Sequence, residues 1–229
     1  MGMEDVNTVD TLNLLKQLYL ESKYSEAINK LLENKAQFEL GQFYYNLGTL
    51  QAKSGDMGAA RYSFEQSLRA GFDSVMLDNN LSFVKQEVSK KGAIVEYDSI
   101  SDRSLEFLSS QSLYSFLFVS LAIAIFIQVV FVKLKKPIGL LQLGLLFMAF
   151  TPMFIKFYAD KHFLQAVVLK NETVWTGPSK VFEKKSDIVS GTKVILSTRN
   201  NDWYLIRSPS EMSGWINVEN LAFLRNRDE

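Results

Sequence analysis

Residues 113–132 read LYSFLFVSLAIAIFIQVVFV, twenty positions without a single charge. At about 1.5 Å of rise per residue, a helix of this length spans about 30 Å, the thickness of a bilayer's hydrocarbon core. Residues 138–155, IGLLQLGLLFMAFTPMFI, are again uncharged, and the run extends to Tyr158 if Lys156 snorkels to the interface. Both stretches are apolar on every face, unlike the amphipathic helices of a soluble core. The link between them, Lys133-Leu134-Lys135-Lys136-Pro137, is long enough only for an antiparallel hairpin. Thr151-Pro152 is expected to kink the second helix, which membrane helices tolerate. Gln128 and Gln142 fall seven residues either side of Lys135, at matching depth. They either hydrogen-bond to each other, reach a partner's helix, or extend to interfacial water.

The charges divide the chain in the same way. Residues 1–111 carry 11 basic and 16 acidic side chains, residues 112–158 carry four Lys and no acid, and residues 159–229 carry 10 basic and 9 acidic. An uncharged block between two charge-rich ones predicts a membrane-anchored protein with two polar flanks. The basic link belongs on the cytoplasmic side by the positive-inside rule, which puts Tyr114 and Tyr158 together at the opposite interface. Both flanks are then expected outside the cytoplasm. The opening MGMEDVNTVDTL has no apolar core, so this arrangement implies that a signal segment was removed. The rival arrangement keeps both flanks cytoplasmic and exposes the lysine link outside.

Composition also removes chemistries. With no Cys among 229 residues, disulfides, thiolate metal sites and Cys nucleophiles are excluded. The one His, His162, ends the second span and reads as an interfacial side chain rather than a base. No glycine-rich phosphate loop, carboxylate pair or metal-ligand spacing occurs, so no enzyme, cofactor or metal is expected. Net charge is zero, which argues against a nucleic-acid footprint.

The first hundred residues repeat at 33–34 positions: Asn13-Leu14, Asn46-Leu47 and Asn80-Leu81, with Ala27/Ala60 and Leu31/Phe64 in step. Apolar positions within a unit follow helical spacing, and Ser54-Gly55-Asp56 closes one helix and caps the next. The unit YYNLGTLQAKSGDMGAARYSFEQSLRAGF closely resembles a tetratricopeptide (TPR) repeat through Tyr44, Leu47, Gly48, Ala60 and Phe64. It departs from that pattern at Gln51, Ser67 and Phe72. Residues 8–35 form a more degenerate unit, and residues 74–90 a capping helix. The resemblance implies a partner-binding groove at Tyr19, Tyr45, Asn46, Thr49, Asn79 and Phe83. No basic cluster supports a carboxylate clamp there. Residues 92–111 read as a linker, with Asp98 and Asp102 solvated.

After Ala159 the pattern alternates. The runs AVVL, TKVILS, DWYLIRS and GWINV are separated by turn residues at Gly177-Pro178-Ser179, Ser190-Gly191, Asn200-Asn201-Asp202 and Ser213-Gly214, which predicts a small barrel. Gly191-Thr192-Lys193-Val194, Asp202-Trp203-Tyr204 and Gly214-Trp215-Ile216 together resemble a bacterial SH3 domain. Trp203, Tyr204 and Trp215 are the implied ligand surface, with one Trp expected in the core.

The expected fold is therefore a multidomain membrane protein. An all-α TPR-like repeat (1–91) and a linker (92–111) precede a transmembrane hairpin (112–158, helices 113–132 and 138–158) and a small all-β SH3-like barrel (159–229). That order resembles the BatE proteins of the Bacteroides-aerotolerance (Bat) operon. The resemblance implies a scaffold in the bacterial inner membrane with both soluble domains periplasmic. Its implied partners are von Willebrand A-domain (VWA) membrane proteins and, indirectly, a MoxR-type AAA+ ATPase. The competing expectation is a cell-wall sensor that binds peptidoglycan through the SH3-like domain.

Overall fold

A computed structural model describes residues 3–94, 99–134 and 139–224. Its N-terminal part is five helices, α1 (Met3–Leu20), α2 (Tyr24–Glu33), α3 (Leu40–Ser54), α4 (Met57–Arg69) and α5 (Val75–Lys90), each packed on the next. The expected punctuation is present. Gly55 ends α3 at φ 89°, a left-handed value that favours glycine, and Asp56 Oδ1 caps α4 by accepting from Ala59 N at 3.1 Å. Ser74 caps α5 in the same way through Leu77 N. Two apolar clusters hold this part together. Leu15, Leu18, Ala27, Leu31, Phe43 and Leu47 close α1–α3, while Ala60, Phe64, Leu77, Leu81, Val84 and Val88 close α4 on α5.

The stretch expected as a solvated linker holds a helix, α6 (Ile100–Ser110). Asp102 is 3 % exposed rather than solvated. Its Oδ2 accepts from Ser210 N at 3.0 Å and Ser210 Oγ at 2.7 Å, which ties the first turn of α6 to the far end of the chain. Burial pushes the Asp102 carboxyl up, but the Ser210 and Ser208 donors outweigh it and hold it below the usual range. Asp98 lies outside the described residues.

Two helical stretches follow that are long and apolar enough to cross a membrane. The first is α7 (Leu113–Lys133) and the second runs from Leu140 to His162. The second breaks at Phe150 into α8 (Leu140–Ala149) and α9 (Thr151–His162), with Pro152 in the first turn of α9. Proline has no N–H to continue the α8 ladder, and the expected kink falls at Phe150, whose backbone stays in the right-handed helical region. Lys156 does not snorkel. It is 1 % exposed and donates to Asp160 Oδ1 at 2.6 Å and Leu108 O at 2.7 Å. A carboxylate one turn away and one of the unpaired carbonyls ending α6 draw the ammonium inward.

Seven antiparallel strands complete the chain: β1 (Leu164–Val168), β2 (Glu172–Trp175), β3 (Lys184–Ile188), β4 (Lys193–Asn200), β5 (Trp203–Ser208), β6 (Gly214–Asn217) and β7 (Leu221–Phe223). They form one open sheet in the order β3-β2-β6-β5-β4-β1-β7, where a small barrel was expected. Among the described residues no ladder joins β3 to β7. One face carries the core, with Val174, Ile188, Val194, Leu196, Ile206 and Ile216 fully buried. On β1 the other face is buried as well, because α4 packs against it.

Candidate functional site

The repeat and the sheet converge on α4, whose two faces do different work. One face, with α3 and α5, forms a cleft of about 340 Å³. Thr49, Lys53, Met57, Phe64, Asn80 and Phe83 line it. The other face is locked into the sheet and α6 by buried charges.

In the cleft, helical spacing on α3 stacks Tyr45, Thr49 and Lys53 along one stripe. Thr49 Oγ1 donates back to Tyr45 O at 2.9 Å. Phe83, on α5, is 51 % exposed, an apolar ring at the rim. Of the six groove residues expected from the repeat, Thr49 and Phe83 line the cleft itself. Tyr45 lies beneath it. Its ring packs at 5.2 Å from Phe72 and 6.2 Å from Phe64, and its hydroxyl accepts from Asn80 Nδ2 at 3.5 Å. Tyr19 sits beyond the cleft, where the Lys53 ammonium lies 5.8 Å above its ring. Asn46 is half-buried on α3 and Asn79 exposed on α5, and neither joins the lining. Sequence reasoning missed Lys53, the cation of this cleft. Its position one turn beyond Thr49 was the available signal.

On the opposite face, Lys193 of β4 donates to Glu65 Oε2 of α4 at 3.0 Å and to Glu106 Oε1 of α6 at 2.8 Å. The Lys193 and Glu65 side chains are 6 % and 11 % exposed. Arg61, 3 % exposed, donates to Gly191 O, and Arg69 donates to Gln165 Oε1. Burial pushes the Glu65 carboxyl up, but the Lys193 ammonium and the Arg61 guanidinium overcome it, so the net shift is downward. Burial pushes Lys85 down, and the neighbouring Arg61 and Lys193 add to that shift against Glu65 and Glu106. The fit is tight. A Cβ at Gly191 would lie 2.5 Å from Val88 Cγ1, and one at Gly58 would lie 2.2 Å from Ser190 Oγ. Three parts of the chain thus meet at one ion-paired junction.

Between the apolar helices, Gln142 Nε2 donates to Gln128 Oε1 at 2.8 Å. Of the alternatives open from sequence, the structure takes the mutual bond. Amide bonds of this kind in a bilayer contribute about 0.6–2 kcal/mol. Gln128→Leu with Gln142→Leu is therefore expected to loosen the hairpin only modestly. Thermal unfolding in detergent micelles checks this, and a loss of the folded state would show that the pair does more than join two helices.

On the sheet, Trp203 and Trp215 are half-buried on the face away from the core, and Trp215 pairs with Trp175 across β6 and β2. Tyr204 is not on that surface. At 4 % exposure it belongs to the core, with its ring edge-on to Phe223 at 5.4 Å. Strand alternation gives the reason, since neighbours on β5 must face opposite ways. His162 stacks on Tyr158 with ring centroids 4.2 Å apart at the end of α9. Among the described residues no group of three His, Asp or Glu side chains is placed to hold a metal ion. Comparison with protein-family models, curated proteins and solved structures finds no match for this chain.

Proposed function

We propose that this chain is a non-enzymatic adaptor anchored in the bacterial inner membrane by the hairpin α7–α9, which holds a protein partner in the cleft between α3 and α5. The observation that carries the proposal is the two-sidedness of α4. Its outer face is covered by the sheet and α6, while its inner face floors an open cleft with Phe83 exposed at the rim. The TPR reading is supported by the close approach of Gly48 to Phe64, where an added Cβ would lie 2.7 Å from the ring. The bacterial SH3 reading rests on the strand and turn residues quoted above, in a sheet that stays open. The ion-paired junction supports placing both soluble parts on one side of the membrane, and the lysine link favours the periplasmic side. The order of parts read from the sequence resembles that of BatE proteins, and on that resemblance the partners proposed are VWA-domain membrane proteins and, through them, a MoxR-type ATPase.

Purification of the full chain in mild detergent with mass spectrometry tests this reading. Asn80→Ala with Phe83→Ala is expected to weaken capture of a VWA-domain partner about thirtyfold or more, since interface anchors of this kind contribute about 1–2 kcal/mol each. Unchanged recovery would sink the cleft assignment. Single Cys residues at Asn79, Lys135 and Asn201, in a chain with no Cys of its own, check topology with an impermeant thiol reagent. The outer pair should label and the link should not.

A second reading, wall binding, is favoured by the Trp175, Trp203 and Trp215 face. It predicts that Trp203→Ala abolishes retention on purified peptidoglycan while the cleft variant leaves retention intact.

A further inference from the structure

Helix α6 reverses the polarity usual for a helix at a protein surface. Its acids face the protein, with Asp102 held by Ser210 and Glu106 by Lys193. Its apolar residues face outward, Ile100 at 83 % exposure and Phe107 at 59 %. Seven residues apart, these two lie on one face, two turns from each other. The exposed residues that flank them are Ser101, Arg103, Ser104 and Ser110. Ser104 Oγ donates to Ile100 O at 2.8 Å and Ser110 Oγ to Phe107 O at 3.1 Å. Both hydroxyl protons are thus satisfied by the helix itself and need no water.

The level of α6 follows from what it touches. Tyr114, 74 % exposed, opens the first span, and a tyrosine ring in that position marks the boundary between headgroups and hydrocarbon. Phe116 stands about 3 Å further along the same helix. The Phe107 ring packs edge-on against the Phe116 ring, 6.3 Å between centroids. Next to it, Leu108 O accepts from Lys156 Nζ of the second span at 2.7 Å. The chain has to turn to make these contacts, since nine residues of unbroken helix would part positions 107 and 116 by about 14 Å. The turn is made at Gln111 and Ser112, which are extended at ψ 151° and 152°. The outward stripe of α6 is therefore continuous with the apolar surface of α7 at the end where that span begins.

From this polarity and this level we infer that α6 is an interfacial helix whose outward stripe binds the lipid surface, with Ile100 and Phe107 about 5–10 Å into the boundary between headgroups and acyl chains. The inference rests on the membrane reading above and on no partner of the cleft. Lipid takes one face of α6 while Asp102 and Glu106 hold the sheet from the other. The helix seats the ion-paired junction on the membrane surface.

The test places an environment-sensitive fluorophore on single cysteines of the full chain, which has no Cys of its own. The labelled protein is reconstituted in vesicles of phosphatidylcholine and phosphatidylglycerol. Labels at Ile100→Cys and Phe107→Cys should emit to the blue of a water-exposed label. Nitroxide lipids labelled near the headgroup should quench them more than lipids labelled near the tail end. Phe126→Cys, on α7 and 68 % exposed, should show the reverse order. Ser54→Cys, exposed at the turn between α3 and α4, should not be quenched. If Phe107→Cys lowers the helical dichroism, Ser104→Cys replaces it with the same expectation. Water-like emission at either α6 position, with Phe126→Cys quenched, overturns the interfacial placement and leaves the membrane reading standing. A blue-shifted α6 label that neither lipid quenches overturns it too, because protein, a partner or a second copy, then covers the stripe. Stronger quenching from the tail end would put α6 in the hydrocarbon and overturn it as well, as would equal quenching at Ser54→Cys. An unquenched label at Phe126→Cys would refute the membrane reading itself.

Discussion

Lys193→Met is expected to destabilise the soluble part of the protein by about 3–5 kcal/mol, the usual cost of leaving buried charges without their partner. The Lys193 ammonium is shared by Glu65 and Glu106, so its loss takes the nearest cation from two carboxylates, one on α4 and one on α6, and leaves Glu65 with Arg61 at 3.9 Å. The side chains are 6 % exposed for Lys193, 11 % for Glu65 and 26 % for Glu106, so water reaches Glu106 in part but cannot take over at Glu65. Because Trp175, Trp203 and Trp215 all lie in the sheet, tryptophan fluorescence follows the sheet while far-ultraviolet dichroism is dominated by the helices. The two signals should unfold together in the parent chain and separate in the variant. Glu65→Gln with Glu106→Gln should restore much of the loss in the Lys193→Met background, since neutral amides are less costly to bury than unpaired charges. A variant that unfolds as cooperatively as the parent, at the same denaturant concentration, would show that the junction is not a stabilising contact.

Acid should open the same junction. The Glu65 carboxyl is held below its ordinary value of 4.5 in the folded chain. Its contribution is therefore complete above about pH 4.5 and is lost as pH falls through the lower folded value. Asp102 behaves alike, starting from 3.8. Without Lys193 the main cause of the Glu65 lowering is gone, so burial dominates and acid opening should begin at higher pH. Arg61 and Lys85 also face this carboxylate and supply the remaining attraction.

The hairpin was legible because it depends on composition alone, and α3–α5 because their 33-residue spacing survives in single residue types. The sheet was legible only in part. β1, β4, β5 and β6 announce themselves through β-branched and aromatic runs. In contrast, β3 reads KKSDI, three of its five residues charged, and β7 has only three residues. Such edge strands carry no internal pattern and are fixed by their neighbours. The order of the strands was not legible for the same reason, because strand count does not specify which edges meet. The junction was invisible for a different cause. Glu65 and Lys193 are 128 positions apart, and Asp102 is 108 from Ser210. A lone Glu, Lys or Asp in a polar stretch reads as solvated until the fold supplies its counterpart. Gln128 and Gln142 were found in advance only because a hairpin is mirror-symmetric in depth.

Within the repeat, the second large effect is expected at the contact between Gly48 and Phe64. Phe64 is fully buried, and Phe64→Ala should cost about 3–5 kcal/mol through the cavity left between α3, α4 and α5. Gly48→Ala tests the other side of the contact, since its Cβ would stand 2.7 Å from Phe64 Cδ1 and 2.8 Å from Cε1. Alanine gains about 1 kcal/mol of helix propensity over glycine. The forced displacement of a packed ring costs about 1–3 kcal/mol and outweighs that gain. The combination is the informative measurement. With the ring removed, the added methyl meets a cavity instead of a clash, so Gly48→Ala should stabilise the Phe64→Ala chain. A double-mutant cycle should then show coupling of at least about 1 kcal/mol, beyond the few tenths expected of independent sites. Additive costs would mean that α3 and α4 do not approach through this pair. The repeat reading of the helices, and with it the cleft floored by Phe64, would then lose its structural basis.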